Sequence, residues 1–156
     1  MQRLRTASEE AVQFNFWLES VKVDLNLATT DDKRSPGFWF HFKSTADITL
    51  AYRVMGGFVR FGTITSEISP ERDTHQNLLA AGSPEDYGWD PMRSVTKDDM
   101  KDVELHLVVH YGRPTGGPWF AMDCLVQPVP CASFDDGWPS NWVLFKKRET
   151  THKPVG

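Results

Sequence analysis

Two residue types that perform acid–base chemistry face each other on a predicted β-hairpin. The segments 103–111 and 119–127 both alternate apolar and polar residues, and the turn-rich sequence GRPTGGP joins them. One register sets every apolar residue of one face against another and places His106 directly opposite Asp123. A carboxylate beside an imidazole fixes its tautomer and stabilises the cation, as a general base requires. The sequence therefore predicts His106 and Asp123 as a catalytic pair.

The same pair has a purely structural alternative. An imidazole and a carboxylate on a solvated strand surface contribute less than about 1 kcal/mol to stability, and no third catalytic partner is evident in the sequence. His110 lies opposite Trp119 in this register and adds an aromatic wall. In a closed barrel or a cupped sandwich, this face would line a pocket.

The tryptophans indicate a second use for the polar faces of the strands. The chain contains 6 tryptophans, and Trp17, Trp39 and Trp119 fall on the face opposite to the regular apolar residues of their strands. Such a face is covered by another segment, binds a ligand by aromatic contact, or forms a protein contact. The candidate ligand-binding residues are Trp39, His41, Arg53, Arg60, His110 and Trp119.

Two of these candidates are arginines that a predicted hairpin brings together. The Gly56-Gly57 dipeptide is typical of a two-residue hairpin turn, because glycine accepts positive φ. Arg53 and Arg60 would then face each other across the two strands. Like charges in that arrangement are destabilising unless an anionic ligand, a nearby acid or solvent relieves them.

No sequence motif indicates metal, phosphate or serine-nucleophile chemistry. The G-x-S-x-G pattern is absent, and the glycine-rich stretch GRPTGGP joins two predicted strands rather than a strand and a helix. The paired aspartates fall in turns and do not match a calcium-binding loop. We therefore expect no metal ion and no cofactor.

Composition and charge narrow the class of protein. With 156 residues, 40% of them hydrophobic and 24% charged, the chain is typical of one globular domain over residues 1–156. The net charge of -4 disfavours a nucleic-acid partner, which usually selects a basic surface. No run approaches the about 20 apolar residues of a membrane span.

The cysteines and the N-terminal sequence favour a reducing compartment. Two cysteines, Cys124 and Cys131, are too few for a disulfide framework in a chain of this length. Cys124 lies on an apolar strand face, which predicts a buried thiol rather than a disulfide with Cys131. The N-terminal sequence lacks the apolar stretch of a secretory signal, and there is no glycosylation sequon. We expect a cytoplasmic protein.

Alternation with a period of two dominates the first half of the chain and predicts strands. The apolar residues of 12–18 and 21–27 have opposite parity, which indicates a β-bulge or a tight turn at Glu19 and Ser20. Over 37–65 the pattern predicts a three-stranded meander that folds back at Gly56-Gly57.

The second half is predicted to hold an insertion, a hairpin and a last strand. Within the insertion, about 69–102, we expect a helix over 70–79, a polar loop over 85–93 and a short helix capped by Thr96 and Asp99. About eight strands with one or two short helices predict a mainly β, single-domain antiparallel β-sandwich or β-barrel.

Three function classes follow from these features. The favoured class is a module that binds a small apolar or carbohydrate ligand through an aromatic-lined face. The second is a cofactor-independent enzyme, of isomerase, cyclase or hydrolase type, that uses His106 and Asp123 in a barrel cavity. The third is a homo-oligomeric interaction protein.

Overall fold

Nine β-strands and one short 3₁₀ helix are found in the part of the chain that the structure describes. The computed structural model describes residues 12–72, 76–82, 84–133 and 138–155. The strands are β1 (Phe16–Thr30), β2 (Lys33–Ser44), β3 (Leu50–Phe61), β4 (Ile64–Glu67), β5 (Asn77–Leu79), β6 (Pro84–Trp89), β7 (Val103–Gly112), β8 (Trp119–Ser133) and β9 (Pro139–Pro154), and the 3₁₀ helix is Asp99–Lys101.

These strands form two open antiparallel sheets that pack face to face. The first sheet has the order β1-β2-β6, and the second has the order β4-β3-β7-β8-β9, with β5 also paired to β3. The expected mainly β antiparallel architecture is confirmed, as a sandwich rather than a closed barrel. The predicted barrel interior is therefore replaced by a core between two layers.

The parity change in the first strand is a β-bulge, which is one of the two predicted alternatives. The pairing of β1 with β2 shifts register between Leu18 and Ser20, so Glu19 is an extra residue in β1. Leu18 on one side of the bulge and Val21 on the other are both buried. The bulge allows one strand to keep two apolar segments of opposite parity on the core face.

Aromatic side chains from both sheets fill the core. Phe42 of β2 lies with its ring centroid 5.1 Å from that of Tyr52 in β3, and Phe38 lies 5.7 Å from Phe61. The predicted apolar faces are confirmed, but the predicted meander over 37–65 is wrong, because β2 and β3 belong to different sheets. The apolar faces of the two strands pack against each other across the core, an arrangement that satisfies the same alternation.

The predicted hairpin at Gly56-Gly57 is also wrong, since both glycines lie inside β3. They have φ values of 147° and 125°, and β3 shifts register against β7 between Val54 and Gly56. A Cβ at Gly57 would lie 1.9 Å from the carbonyl oxygen of His106. Glycine at this point therefore permits a bulge and a close approach of two strands, and the chain reverses later, between Phe61 and Ile64.

The described parts of the segment predicted as a helix, 70–72 and 76–79, form no helix and are hydrogen-bonded to the edge of β3. The amide of Glu71 donates to the carbonyl of Val54, and its carboxylate accepts from the amide of Val54, both at 2.9 Å. Asn77, at the start of β5, donates from its side chain to the same carboxylate at 3.0 Å. These bonds satisfy the backbone of β3 at its bulge, so tertiary partners outweigh the local helical pattern.

The predicted polar loop over 85–93 begins as strand β6, which pairs with β2. Trp89 packs inward with its ring 5.8 Å from that of Phe38. The expected reciprocal hydrogen bonds between Thr96 and Asp99 are present, but the N-cap residue of the 3₁₀ helix is Asp98, which makes no side-chain capping bond. The amide of Thr96 donates to Asp99 at 2.9 Å, and the amide of Asp99 donates to the Thr96 hydroxyl at 3.2 Å.

The predicted hairpin of β7 and β8 is present with its register shifted by two residues. His106 stands opposite Leu125, and Val108 stands opposite Asp123. A shift of two keeps every side chain on its predicted face, so the buried face is still apolar. Cys124 lies there as a buried thiol whose sulfur accepts a hydrogen bond from Thr150 at 3.5 Å.

Among the described residues, none forms a helix with the length and apolar character to cross a membrane.

Candidate ligand-binding face

The outer face of the three-stranded sheet carries an exposed tryptophan at its centre, and we refer to it as the Trp39 face. The strand register aligns side chains of β1, β2 and β6 in rows across the sheet. Because alternate residues point outward, the rows on the outer face are Trp17, Lys43 and Pro84, then Ser20, His41 and Asp86, then Lys22, Trp39 and Gly88, and then Asp24 and Gly37.

The glycine opposite Trp39 determines where the indole lies. Trp39 is 46% exposed, and a Cβ built on Gly88 would lie 2.7 Å from its Cζ3 atom. The indole therefore lies across the bare backbone of β6, and any side chain at position 88 would displace it. An exposed aromatic ring is thus held in one orientation before any ligand arrives.

A second glycine opens a cleft beside Trp39, here called the Gly37 cleft. Its volume is about 440 Å³, and a Cβ added at Gly37 would have no atom within 4 Å. A glycine inside a strand weakens that strand, and it often marks a place where a ligand approaches the backbone closely. The described lining residues are Asp24, Leu27, Ser35, Gly37, Phe38, Trp39, Gly88, Trp89 and Asp90.

The opposite side of Trp39 borders a second cleft, here called the His41 cleft. It has a volume of about 380 Å³ and is lined by Ser20, Lys22, Trp39, His41 and Asp86 among the described residues. Nδ1 of His41 lies 2.5 Å from Oδ1 of Asp86. An ionised carboxylate only accepts hydrogen bonds, so Nδ1 carries the hydrogen and the ring is held in a fixed orientation.

The carboxylate of Glu19 lies beside this cleft, near His41 and Lys43. One of its carboxylate oxygens lies 3.7 Å from Nε2 of His41, and the other lies 3.2 Å from Nζ of Lys43. The bulge in β1 brings this side chain beside the imidazole. The His41 cleft therefore offers hydrogen-bond donors and acceptors around a fixed aromatic ring.

Three other predicted binding residues meet on the outer face of the second sheet. Arg53 lies with its guanidinium carbon 4.9 Å from the centre of the Trp119 ring, and Arg53 stands opposite His110. Burial and the charge of Arg53 lower the pKa of His110 below its ordinary value. Trp119 covers Gly112 in the same way that Trp39 covers Gly88. This cluster is on the opposite side of the sandwich from Trp39.

Arg60 does not join Arg53, so their predicted juxtaposition is wrong. Both lie on β3, and Arg60 binds the carboxylate of Asp102 at 3.0 Å. That hydrogen bond raises the pKa of Arg60 above its ordinary value. An acidic neighbour rather than a ligand balances its charge.

The contact predicted between His106 and Asp123 is present. Nε2 of His106 lies 2.7 Å from Oδ1 of Asp123, and the side chains are 28% and 56% exposed. The pair is diagonal across the strands, and the ring of Phe58 lies 5.4 Å from the imidazole. Neither residue of the pair lines the Gly37 cleft or the His41 cleft, and its catalytic role stays a prediction.

Sequence reasoning missed the residues that shape the Trp39 face. Asp86, Gly88 and Asp90 alternate with inward aromatic residues in the sequence DYGWD, within the stretch that the sequence predicts as a polar loop. Gly37 stands two residues before Trp39 and has the same parity. A glycine at an outward position beside an outward tryptophan was the available signal.

Comparison of the chain with family models, with curated proteins and with solved structures found no match. The function is therefore inferred from the geometry of the Trp39 face.

Proposed function

We propose that this chain is a carbohydrate-binding module whose ligand lies on the indole of Trp39. The single observation that carries the proposal is an exposed tryptophan, held across Gly88 beside the open floor of Gly37. The C–H groups of a sugar ring form an apolar surface that stacks on an indole. A ring that is already oriented gives up little conformational entropy on binding.

The polar lining suits hydroxyl groups better than a purely apolar ligand. Asp24, Ser35 and Asp90 line the Gly37 cleft, and Lys22 with the His41–Asp86 pair lines the other. An apolar ligand would bury these groups without replacing their hydrogen bonds to water, which is costly. Sugar hydroxyls both donate and accept hydrogen bonds, so they satisfy such groups on both sides of the ring.

Binding is favoured over catalysis by His106 and Asp123 because that pair lies apart from the clefts. His106 and Asp123 lie on the outer face of the second sheet, and Trp39 lies on that of the first. A general base must be within hydrogen-bond reach of a bound substrate. A ligand on Trp39 is on the far side of the core from His106.

The proposal is tested by calorimetry with soluble oligosaccharides and by sedimentation with insoluble polysaccharides. The panel contains neutral, acidic and basic glycans. Trp39→Ala is compared with Trp119→Ala, which removes an indole from an equivalent glycine on the other sheet. We expect Trp39→Ala to abolish binding and Trp119→Ala to retain it. Native mass spectrometry of the same samples reports any self-association.

Three outcomes would contradict the proposal. They are equal loss of binding in the two variants, binding unaffected by Trp39→Ala, and failure of the wild-type protein to bind any polysaccharide of the panel. A concentration-dependent dimer that Trp39→Ala dissociates would instead assign the Trp39 face to self-association.

A further inference from the structure

One row of the Trp39 face holds a serine, a histidine and an aspartate on three neighbouring strands. Ser20 of β1 stands opposite His41 of β2, and His41 stands opposite Asp86 of β6. All three line the His41 cleft, which has a volume of about 380 Å³. A hydroxyl, an imidazole and a carboxylate in this order are the groups of a serine nucleophile with its base.

The two ring nitrogens of His41 face the two sides that such chemistry needs. Nδ1 lies 2.5 Å from Oδ1 of Asp86, so the carboxylate holds the hydrogen on Nδ1 and leaves Nε2 as the basic atom. Nε2 lies on the side of β1, 3.7 Å from the carboxylate of Glu19. Directly opposed residues of antiparallel strands have Cβ atoms about 4.5–5.5 Å apart. A change of χ1 rotamer therefore brings the hydroxyl of Ser20 to Nε2, a contact that often shortens only when substrate is bound.

The bulge in β1 brings Glu19 and Ser20 together beside the imidazole. The register of β1 against β2 shifts between Leu18 and Ser20, and bulges often redirect a side chain next to an active site. The second carboxylate oxygen of Glu19 is anchored by Nζ of Lys43 at 3.2 Å. Glu19 thus stabilises the positive charge that the imidazole gains when it accepts a proton.

The His106–Asp123 pair on the other sheet provides an internal comparison. Its side chains are 28% and 56% exposed, close to the 27% and 57% of His41 and Asp86. In the strand register, His106 stands between Phe58 and Leu125. The His41 row differs from it by having a serine opposite the imidazole.

We propose that Ser20, His41 and Asp86 form a hydrolytic site for a short acyl ester on the glycan that lies on Trp39. The carrier of the ester rests on the proposed function, whereas the nucleophile does not. Trp39 precedes His41 by two residues on the same face, about 7 Å along the strand, so a sugar on the indole brings a substituent to Ser20. Apart from Trp39, the described lining of the cleft is polar, which suits an acetyl group better than a long acyl chain.

The reaction uses water as its second substrate and has two steps. In the first, Oγ of Ser20 attacks the carbonyl carbon and passes its proton to Nε2 of His41. The bond from that carbon to the sugar oxygen breaks, and the sugar oxygen takes the proton from Nε2. In the second, a water oxygen attacks the acetyl carbon and gives a proton to Nε2; the bond to Oγ breaks, Oγ takes that proton, and acetic acid leaves. The ammonium group of Lys22, which lines the same cleft, offsets the negative charge on the carbonyl oxygen.

A fluorophosphonate probe tests the nucleophile without a glycan. It forms a covalent bond with an activated serine hydroxyl and releases fluoride. We expect the wild-type protein to gain one phosphonyl group, located at Ser20 by peptide mass spectrometry, and Ser20→Ala to gain none. His41→Gln should be labelled at least about 100-fold more slowly, because a general base contributes at least that factor. His106→Gln, which removes the imidazole of the comparison pair, is measured in parallel.

Asp86 acts through His41 as a positioning residue, so two substitutions are compared. Asp86→Asn keeps the shape but can turn a hydrogen-bond donor towards Nδ1, which favours the wrong tautomer. Asp86→Glu keeps the carboxylate and should be labelled faster than Asp86→Asn. A merely structural role predicts the reverse order, since glutamate is the larger change. Thermal melting shows that each variant is folded.

The ester is tested with the glycans of the binding panel after chemical O-acetylation. We expect the wild-type protein to release acetate from at least one of them and Ser20→Ala to release none. Labelling of Ser20 without acetate release from any sample overturns the ester.

The results separate this inference from the proposed function. A protein that binds a polysaccharide but is not labelled at Ser20 overturns the hydrolytic site and leaves binding intact. Labelling that does not depend on His41, or that depends more on His106, overturns it as well. Labelling of Ser20 through His41 in a protein that binds no polysaccharide supports the nucleophile and overturns the proposed function.

Discussion

Filling the Gly37 cleft with a side chain should separate stability from binding. A Cβ at Gly37 would have no atom within 4 Å, and this glycine is not among the residues with positive φ. The Cβ that Gly37→Val adds therefore introduces no clash and no backbone strain. Glycine inside a strand costs about 0.5–1 kcal/mol relative to alanine, because the unfolded chain has more freedom to lose. Replacing it should raise the free energy of unfolding by that amount, which corresponds to about 1–4 °C in Tm.

The same substitution should weaken ligand binding. The isopropyl group stands on the floor of a cleft of about 440 Å³ and pushes a sugar ring away from Trp39. At about 0.3 kcal/mol of binding energy per non-hydrogen ligand atom, displacing about six ring atoms costs about 2 kcal/mol, or about 30-fold in Kd. Thermal melting and calorimetry on one preparation measure both effects.

The control is Ala121→Val, which enlarges a half-buried residue of β8 away from the Trp39 face. It should leave the affinity unchanged. A Gly37→Val protein that is at least as stable as the wild type and binds with the same Kd would refute the placement of the ligand. A loss of more than about 1 kcal/mol of stability would refute the argument that the space is open.

Three further predictions concern the supports of the fold and the site. Tyr111→Phe should lower the free energy of unfolding in urea by about 1–3 kcal/mol. The reason is that the buried hydroxyl donates to the carbonyl of Gln13 and contacts Nδ1 of His152 at 2.7 Å. An unchanged urea concentration at the unfolding midpoint would contradict this prediction. Burial lowers the pKa of His152 below its ordinary value, so the unfolded state takes up the proton first. The contribution of His152 to the free energy of unfolding should therefore be complete above about pH 6.5 and decrease as the pH falls toward the folded-state pKa. In His152→Asn the free energy of unfolding should depend less steeply on pH. Equal slopes in the two proteins would exclude His152 as the cause. Gly88→Ala should displace the indole of Trp39, shift the tryptophan emission and weaken ligand binding, whereas an unaltered spectrum would show that the indole does not depend on Gly88.

Local alternation made the side-chain faces predictable from the sequence. Phe38, Phe40 and Phe42 are all buried, as their spacing indicates, because a strand alternates faces whatever its partner is. The reciprocal hydrogen bonds of Thr96 and Asp99 also need only neighbouring residues. Both features depend on interactions within a few residues of the chain.

The contact of His106 with Asp123 was predicted from a register that proved wrong by two residues. A shift of two preserves the face of every side chain, so the hydrophobic pattern cannot distinguish the two registers. Long side chains on the same face reach diagonal neighbours as well as direct ones. The contact therefore follows from parity rather than from the register.

What the sequence determined by itself is which residues point inward on each strand, since that depends on backbone geometry alone. The tertiary structure decided which strands pair. Pairing depends on contacts between distant parts of the chain, and several pairings satisfy one alternation pattern. In the tertiary structure, β2 and β3 belong to different sheets, the segment at β6 is a strand, and Gly88 lies beneath Trp39. The Trp39 face arises from that last pairing, so only the fold could reveal it.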